Sequence, residues 1–441
     1  MYNRAKGGES MAQGYQRRIV DDTLDQLLAG LPAIAIEGAK AVGKTATASR
    51  RAHTTLSLDD PQTFDVISAN PNAIAELTPP VFLDEWQLVP DLWNRVRHLV
   101  DEDPRARGRF LLAGSSGVQP TVRIHSGAGR IVRLVMRPLS LAERGLETPT
   151  VSLRALFDSP HTNDEVHAID GETHLSLGDY VDEILRSGFP GIRELDDQVR
   201  TRAIDSYLER VVEGDLEQMG VSIRRPGALM AWLRAYAAAT SGTADYAKIL
   251  NAATPGEGNK PTRHTVDSYR EHLTRVFLLD PLPAWQPSFA PLKRLTLASK
   301  HHLVDPALAA RLVGVARGGL LVGQGERVAS DTGSWLGALF ECLATQSVRV
   351  YAEAHGAQTG HLRTSGGERE IDLIVEDDQR RIVGIEVKLA DTVNDGDVRH
   401  LQWLKDQLGE RMVDMVVVNT GRFAYRRPDG VAVVPLALLG P

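Results

Sequence analysis

The stretch LPAIAIEGAKAVGKTATASRRA (residues 31–52) decides how the chain begins to fold. Its first part is a short apolar run ending at a glycine, the pattern of a buried parallel strand. Gly38-Ala39-Lys40-Ala41-Val42-Gly43-Lys44-Thr45 then spells G-x-x-x-x-G-K-T, and ATASRRA continues as a helix. In a strand–loop–helix of this kind the backbone N–H groups wrap a chain of phosphates. Lys44 neutralises the β and γ oxygens, and the Thr45 hydroxyl reaches Mg²⁺. Gly38 and Gly43 are required because a side chain would block the close approach and the backbone angles. Lys40 is not demanded by the pattern.

Working outward, PPVFLDEWQ (residues 79–87) is an apolar strand ending in Asp84-Glu85. An acid at the C-terminal end of a parallel strand sits beside the phosphate loop, where Asp84 can hold Mg²⁺ and Glu85 can polarise the attacking water. GRFLLAGSSG (108–117) is a third strand ending in Ser115-Ser116, a place from which a hydroxyl reaches the γ-phosphate. TTLSLDDP (54–61) and RIVRLVMRPLS (130–140) are further strands, and PDLWNRVRHLVDED (90–103) is amphipathic. Alternation of strands and helices predicts a doubly wound parallel sheet.

These segments resemble the AAA-type ATPase domain of a large group of prokaryotic ATP-binding proteins. The resemblance implies that Lys44 and Thr45 bind nucleotide, Asp84 holds Mg²⁺, Glu85 is the catalytic base and Ser115 is a sensor. It places an arginine finger at Arg130, with Arg123 and Arg133 close by, and a finger of that kind implies a homo-oligomer.

At 441 residues the chain is long enough for about three domains. A net charge of -7 excludes coating of nucleic acid by bulk charge, so any such surface is a local basic patch. With a single cysteine, Cys342, there is no intrachain disulfide and no cysteine-based zinc cluster. No apolar run of about 18 residues and no signal-peptide pattern occurs, which predicts a cytoplasmic protein with no membrane partner. The first 14 residues are polar and glycine-rich and read as a flexible tail, with Met11 as an alternative start.

Past residue 150 the pattern becomes helical. SLGDYVDEILRSGFPGIREL and RAIDSYLERVVEGDLEQMG predict a helical connector, and the SGFP segment matches the region after the ATPase in the same family. GALMAWLRAYAAAT, DYAKILNAA and TRHTVDSYREHLTRVFLLDPLPAW, with a strand pair around FLLDPL and KRLTLASKHHLVD, predict a winged helix-turn-helix. Its recognition helix would span about Thr262–Val276, carrying Arg263, His264, Arg270 and Arg275. Winged helices also serve as packing modules, and that alternative stays open.

Near the other end, EIDLIVEDDQRRIVGIEVKLA (370–390) reads as two strands joined by a charged turn. Alternation puts Asp372 on one face of the first strand, and Glu386 and Lys388 on one face of the second. One antiparallel register sets Asp372 opposite Glu386. Two carboxylates within reach of one cation suit Mg²⁺, and a lysine beside them can steady water or phosphate. D-x13-E-x-K resembles the PD-(D/E)xK core of the restriction-endonuclease-like fold. By that resemblance Glu341, on the preceding helix, is a further metal-site acid, while DVRHLQWLKDQLG and MVDMVVVNTG supply the next helix and strand. Ile371 stands where the family usually has proline.

The expected architecture is multidomain α/β. A tail (1–14) precedes a doubly wound parallel-sheet P-loop ATPase domain (15–150), a helical connector (151–220), a winged helix (221–325) and a restriction-endonuclease-like domain (326–441). The expected function is an ATP-binding and ATP-hydrolysing AAA-type protein acting on double-stranded DNA, with ATP and Mg²⁺ as cofactors and a Mg²⁺-dependent nuclease-like domain. The alternative is a nucleotide-dependent switch or signalling ATPase whose nuclease-like domain is an inactive binding module.

Overall fold

The computed structural model describes residues 14–114, 129–158, 169–216, 225–253, 262–287, 295–323 and 334–441. The tail expected over 1–14 lies outside them up to residue 13. The chain forms two compact units, one holding the residues to Gly38 and Gly43–Met136, the other Ala39–Val42 and Arg137–Pro441.

In the first unit the apolar run ahead of the phosphate loop is β1 (Ala33–Glu37), and Ala33 to Ile36 are buried. It is joined by β2 (Thr54–Ser57), β3 (Val81–Asp84), β4 (Phe110–Gly114) and β5 (Val132–Val135) in one parallel sheet of order β2-β3-β4-β1-β5. The inner strands β1, β3 and β4 are apolar and buried almost throughout, as in parallel sheets covered on both faces, while the edge strands β2 and β5 are partly exposed. The helix Asp91–Glu102 buries Leu92, Trp93, Val96, Leu99 and Val100, a stripe at helical spacing, and the Trp93 ring lies 4.7 Å from that of Trp86. Ala113 of β4 pairs with Ile36 on one side and Asp84 on the other. The carboxyl ends of β1, β3 and β4 are therefore level, and the phosphate loop and Asp84-Glu85 leave the sheet at one edge. That edge is where ligands bind in open parallel sheets.

The first compact unit ends at Met136, ahead of the residue-150 limit expected for the ATPase domain. Hydrogen bonding explains the shift: Leu139 N–H donates to Gly188 O (2.7 Å), Leu141 N–H to Ser347 Oγ (3.0 Å) and Ala142 N–H to the Tyr351 hydroxyl (3.1 Å). These amides would be unpaired if the segment stayed with the first unit. The SGFP segment is where Leu139 docks. A Cβ on Gly188 would sit 2.8 Å from the Leu139 carbonyl oxygen, so only glycine allows the approach. Beneath it, buried Glu183 accepts from Arg144 (3.1 Å) and Arg193 (3.0 Å).

The region expected as a helical connector (151–220) lies within the second unit. β6 (Val151–Ser152) pairs with β14 (Leu439–Gly440), and β7 (Gly171–Glu172) pairs with β12 (Phe423–Arg426). The next stretch holds the helices Pro226–Ala237, Tyr246–Ala253 and Arg263–Arg275, then antiparallel bridges Leu279–Leu303 and Leu282–Lys300. Thr262 caps the third helix, its side chain accepting from Thr265 N–H, and Val266, Tyr269 and Leu273 are its buried positions.

The remainder carries helix Trp335–Ala354, then β8 (Gln358–Arg363), β9 (Glu370–Glu376) and β10 (Ile382–Val387), antiparallel in sequence. Helix Asp395–Leu408 follows, and β11 (Met412–Asn419) pairs parallel with β10. With β13 (Ala432–Pro435) the sheet order is β7-β12-β13-β11-β10-β9-β8. β10 is buried along its whole length. Gly384 permits this: a Cβ there would meet the Met412 methyl at 2.5 Å and Leu401 at 3.1 Å.

Candidate functional site

Two polar clusters stand at the places the sequence singles out, one in each unit. In the first, Gly43 ends the phosphate loop at φ 106°, a left-handed conformation that favours glycine, and Lys44 opens the helix Lys44–Ser49. Lys44 is 6% exposed, and its ammonium donates to Gly38 O at 2.8 Å. A buried ammonium lying back across its own loop is placed to move onto a phosphate.

The Thr45 side chain stands close enough to the Asp84 carboxylate, at the end of β3, to draw its pKa down. Burial raises the Asp84 carboxyl pKa, Thr45 opposes this, and the Glu85 charge adds to it. Such a carboxylate is under-compensated, and a cation beside it would restore the balance. The pair therefore fits Mg²⁺. Glu85 has φ 51°, an unusual angle for a residue with a side chain, and its carboxylate accepts from the Gln87 amide.

Ser115 and Arg123 lie outside the described residues. Arg130 donates to Asp101 at 2.8 Å on the first unit's surface, and Arg133 lies 3.3 Å from Glu37. Tyr15 and Arg18 belong to no motif, yet they stand close to the loop. The Tyr15 hydroxyl is 2.8 Å from Asp21 and 2.9 Å from Thr47, and Arg18 is buried with its guanidinium 3.8 Å from where a Gly43 Cβ would lie. The only signal for them in the sequence is a cluster of polar side chains just before a helix otherwise patterned for burial.

In the second unit the register runs Val383–Val375, Gly384–Ile374 and Ile385–Leu373, and one further step along it would set Glu386 opposite Asp372. Opposed residues of an antiparallel pair share a face, so that step would put both carboxylates on one side. Lys388 donates to Glu386 Oε1 at 2.8 Å. The other oxygen, Glu386 Oε2, is buried without a hydrogen-bond partner. Burial, with the Asp372 charge added, pushes the Glu386 pKa up to about 8.

One residue that no motif places here dominates the cluster. Lys300 is 1% exposed, and its ammonium donates to Asp372 Oδ1 (2.8 Å) and Glu341 Oε1 (2.8 Å) and lies 3.2 Å from Glu370. The second Asp372 oxygen accepts from Val387 N–H at 2.9 Å. Although burial opposes it, the ammonium groups of Lys300 and Lys388 hold the Asp372 carboxyl below its ordinary value. Glu341 is pushed up to about 8 by burial, against the pull of Lys300.

A divalent ion held by Asp372, Glu386 and Glu341 was the expectation. Two of these acids instead close on an ammonium. Among the described residues no group of three or more His, Cys, Asp or Glu side chains is arranged to hold a metal ion. As it stands, the cluster does not fit a divalent cation. Lys300 was legible only as part of a strand pair, in KRLTLASKHHLVD. Its acids come from 41 and 72 positions further on.

The Arg263 side chain lies outside what is described. Arg270 stacks over Tyr246 at 4.5 Å from the ring centre and lies 3.4 Å from Asp267. Gln402 donates to Asp429 (3.1 Å), with no part in the acid cluster.

Comparison with known proteins gives three family matches. Residues 31–144 match the family described as AAA domain, 177–318 a domain of unknown function (DUF8612) and 336–439 another (DUF4143). Uncharacterized proteins of Mycobacterium bovis and Mycobacterium tuberculosis are each 24% identical, over 95% of this chain and 83% of theirs. A Walker-type ATPase of Pyrococcus abyssi is similar at 16% identity, covering 66% of this chain and 94% of that one, with a TM-score of 0.39. The AAA match falls on the parallel sheet and phosphate loop, and the first unit is a P-loop ATPase domain of the AAA type. Among the described residues no helix is long and apolar enough to cross a membrane.

Proposed function

We propose that this chain is an ATP hydrolase that uses Lys44, Thr45, Asp84 and Glu85, and that its turnover serves an action of the second unit on double-stranded DNA. The observation that carries hydrolysis is the Thr45–Asp84 pair with Glu85 next in sequence, all at the level carboxyl edge of the sheet. Lys44 exchanges the Gly38 carbonyl for phosphate oxygens, an ionic contact in place of a neutral one. Mg²⁺, when bound, offsets charge on the phosphates. Thr45 and Asp84 are the residues that would hold it. Glu85 takes a proton from the attacking water, and Gln87 fixes the direction of its carboxylate.

For the second unit, Lys300 favours one of the two readings the sequence leaves open. The helix, three antiparallel strands, helix and parallel strand follow one another in the order a nuclease-like fold requires, yet two of its acids are already neutralised by an ammonium. We read it as a binding module for duplex DNA that does not cut. ATP hydrolysis by the purified chain, with and without Mg²⁺ and duplex DNA, tests both statements. Hydrolysis lost in Lys44→Ala and raised by DNA is expected. Absence of hydrolysis under every condition defeats the ATPase assignment. Metal-dependent cleavage lost in Lys388→Ala would instead favour a working nuclease.

A further inference from the structure

We propose that the Lys300 ammonium is the built-in cation of the acid cluster in the second unit, so that the native chain takes no divalent metal there, and that removing this ammonium turns the same residues into a Mn²⁺ or Mg²⁺ site. The proposal deepens the binding-module reading. Its test reads metal binding and melting, not DNA engagement. A chain that bears it out and ignores DNA loses only that reading.

Geometry carries it. Lys300 is fixed at both ends. Its backbone exchanges two hydrogen bonds with Leu282, Lys300 N–H to Leu282 O at 2.9 Å and Leu282 N–H to Lys300 O at 3.0 Å. At the far end the ammonium meets Asp372, Glu341 and Glu370 at 2.8, 2.8 and 3.2 Å. An ammonium has three N–H bonds, and here three carboxylates from helix Trp335–Ala354 and β9 surround it. Hard cations take the same oxygen donors at 2.0–2.6 Å, so the donor set is one a divalent ion would accept if the nitrogen were gone. Both cannot be present, because two cations a few ångströms apart in a buried site repel strongly.

A second feature points to a ligand. Glu386 is 7% exposed, and its Oε2 has no hydrogen-bond partner, although the Asp372 charge acts on the same carboxyl. Lys388 satisfies the other Glu386 oxygen. A divalent ion replacing the Lys300 nitrogen would have this unpaired oxygen as a further donor. In the native arrangement the Lys300 ammonium donates to Asp372 and Glu341, and Glu386 Oε2 stays orphaned.

The test uses the full chain without nucleotide. The Asp84→Asn variant disables the first unit's own Mg²⁺ site. Titrated with Mn²⁺ and followed by electron paramagnetic resonance, it should bind no Mn²⁺ more tightly than the millimolar range. One tightly bound Mn²⁺ per chain, lost on adding Glu386→Gln, overturns the proposal without requiring any change at Lys300. In the same background Lys300→Met takes from three carboxylates the ammonium they share. Its melting temperature should fall by on the order of 10 °C. Mn²⁺ should restore the loss, and should fail to do so once Asp372→Asn is added. Should Lys300→Met alone not fold, Lys300→Met with Glu341→Gln removes one cation and one acid together, and should fold and gain a Mn²⁺-dependent rise in melting temperature. A Lys300 variant that folds and melts identically with and without Mn²⁺ counts against the proposal.

Discussion

The side-chain amide of Gln87 donates to the carboxylate of Glu85, two residues before it and held at a positive φ. Gln87 also lies against the end of β4, where a Cβ on Gly114 would come within 2.6 Å of its Oε1. Gln87 therefore fixes where the Glu85 carboxylate points. Gln87→Ala should lower kcat for ATP by about 10-fold with KM little changed, whereas Glu85→Gln should lower kcat by about 10²–10⁴ while ATP stays bound. Steady-state hydrolysis together with nucleotide binding checks both. Parent turnover in Glu85→Gln removes Glu85 as the base.

Lys44→Ala takes away the ammonium now resting on Gly38 O. ATP binding should weaken by at least 10-fold and hydrolysis should disappear, since charge-assisted contacts to phosphate are worth about 1.5–3 kcal/mol. Fluorescent-nucleotide titration reads this directly. The second unit's melting should not move.

Melting of the second unit should depend on pH through Glu386. Its folded pKa is raised, to about 8 against an ordinary 4.5, by burial and by Asp372. The folded state then binds more protons than the unfolded one between those values. The stabilising effect is fully present below about 4.5 and is lost as pH rises through about 8. Glu341, also pushed up to about 8, acts in the same sense. The melting temperature should drop from pH 5 to pH 8, and Glu386→Gln should flatten the drop. An equal slope in that variant assigns the dependence elsewhere.

Glu183 holds two guanidinium groups, those of Arg144 and Arg193, all three nearly out of solvent. Glu183→Gln removes the charge that both arginines answer and should cost about 3–5 kcal/mol, as for other broken buried pairs. Urea unfolding of the second unit measures it. A change below about 1 kcal/mol contradicts the ion-pair account.

The parts legible in the sequence were those set by local rules. The loop Gly38–Thr45 needs its glycines and lysine at fixed offsets, and two-residue alternation sets which face of its strand Asp372 or Glu386 takes. Other features depend on residues that meet only through tertiary packing. Lys300 reaches Glu341 and Asp372 across 41 and 72 positions, and neither spacing follows a helix or strand period. The end of the first unit at Met136 was hidden because RIVRLVMRPLS runs on without a break, while the hydrogen bonds that claim Leu139 and Leu141 come from Gly188 and Ser347. β6 and β7, of two residues each, are too short for any pattern to show.

The pairing of β6 with β14 has a consequence in time. Val151 lies beside Leu439, and the Ser152 hydroxyl donates to Pro441 O at 2.6 Å across 289 positions of chain. Loop-closure entropy must be overcome before such a contact gives anything back, and topologies rich in distant pairings fold slowly. The second unit is then slow to complete, with residues 151–152 and 171–172 waiting for strands that come more than two hundred positions later. Until that pairing forms, the apolar run Leu436–Leu439, buried in the finished fold, lacks the cover β6 gives it at Leu439.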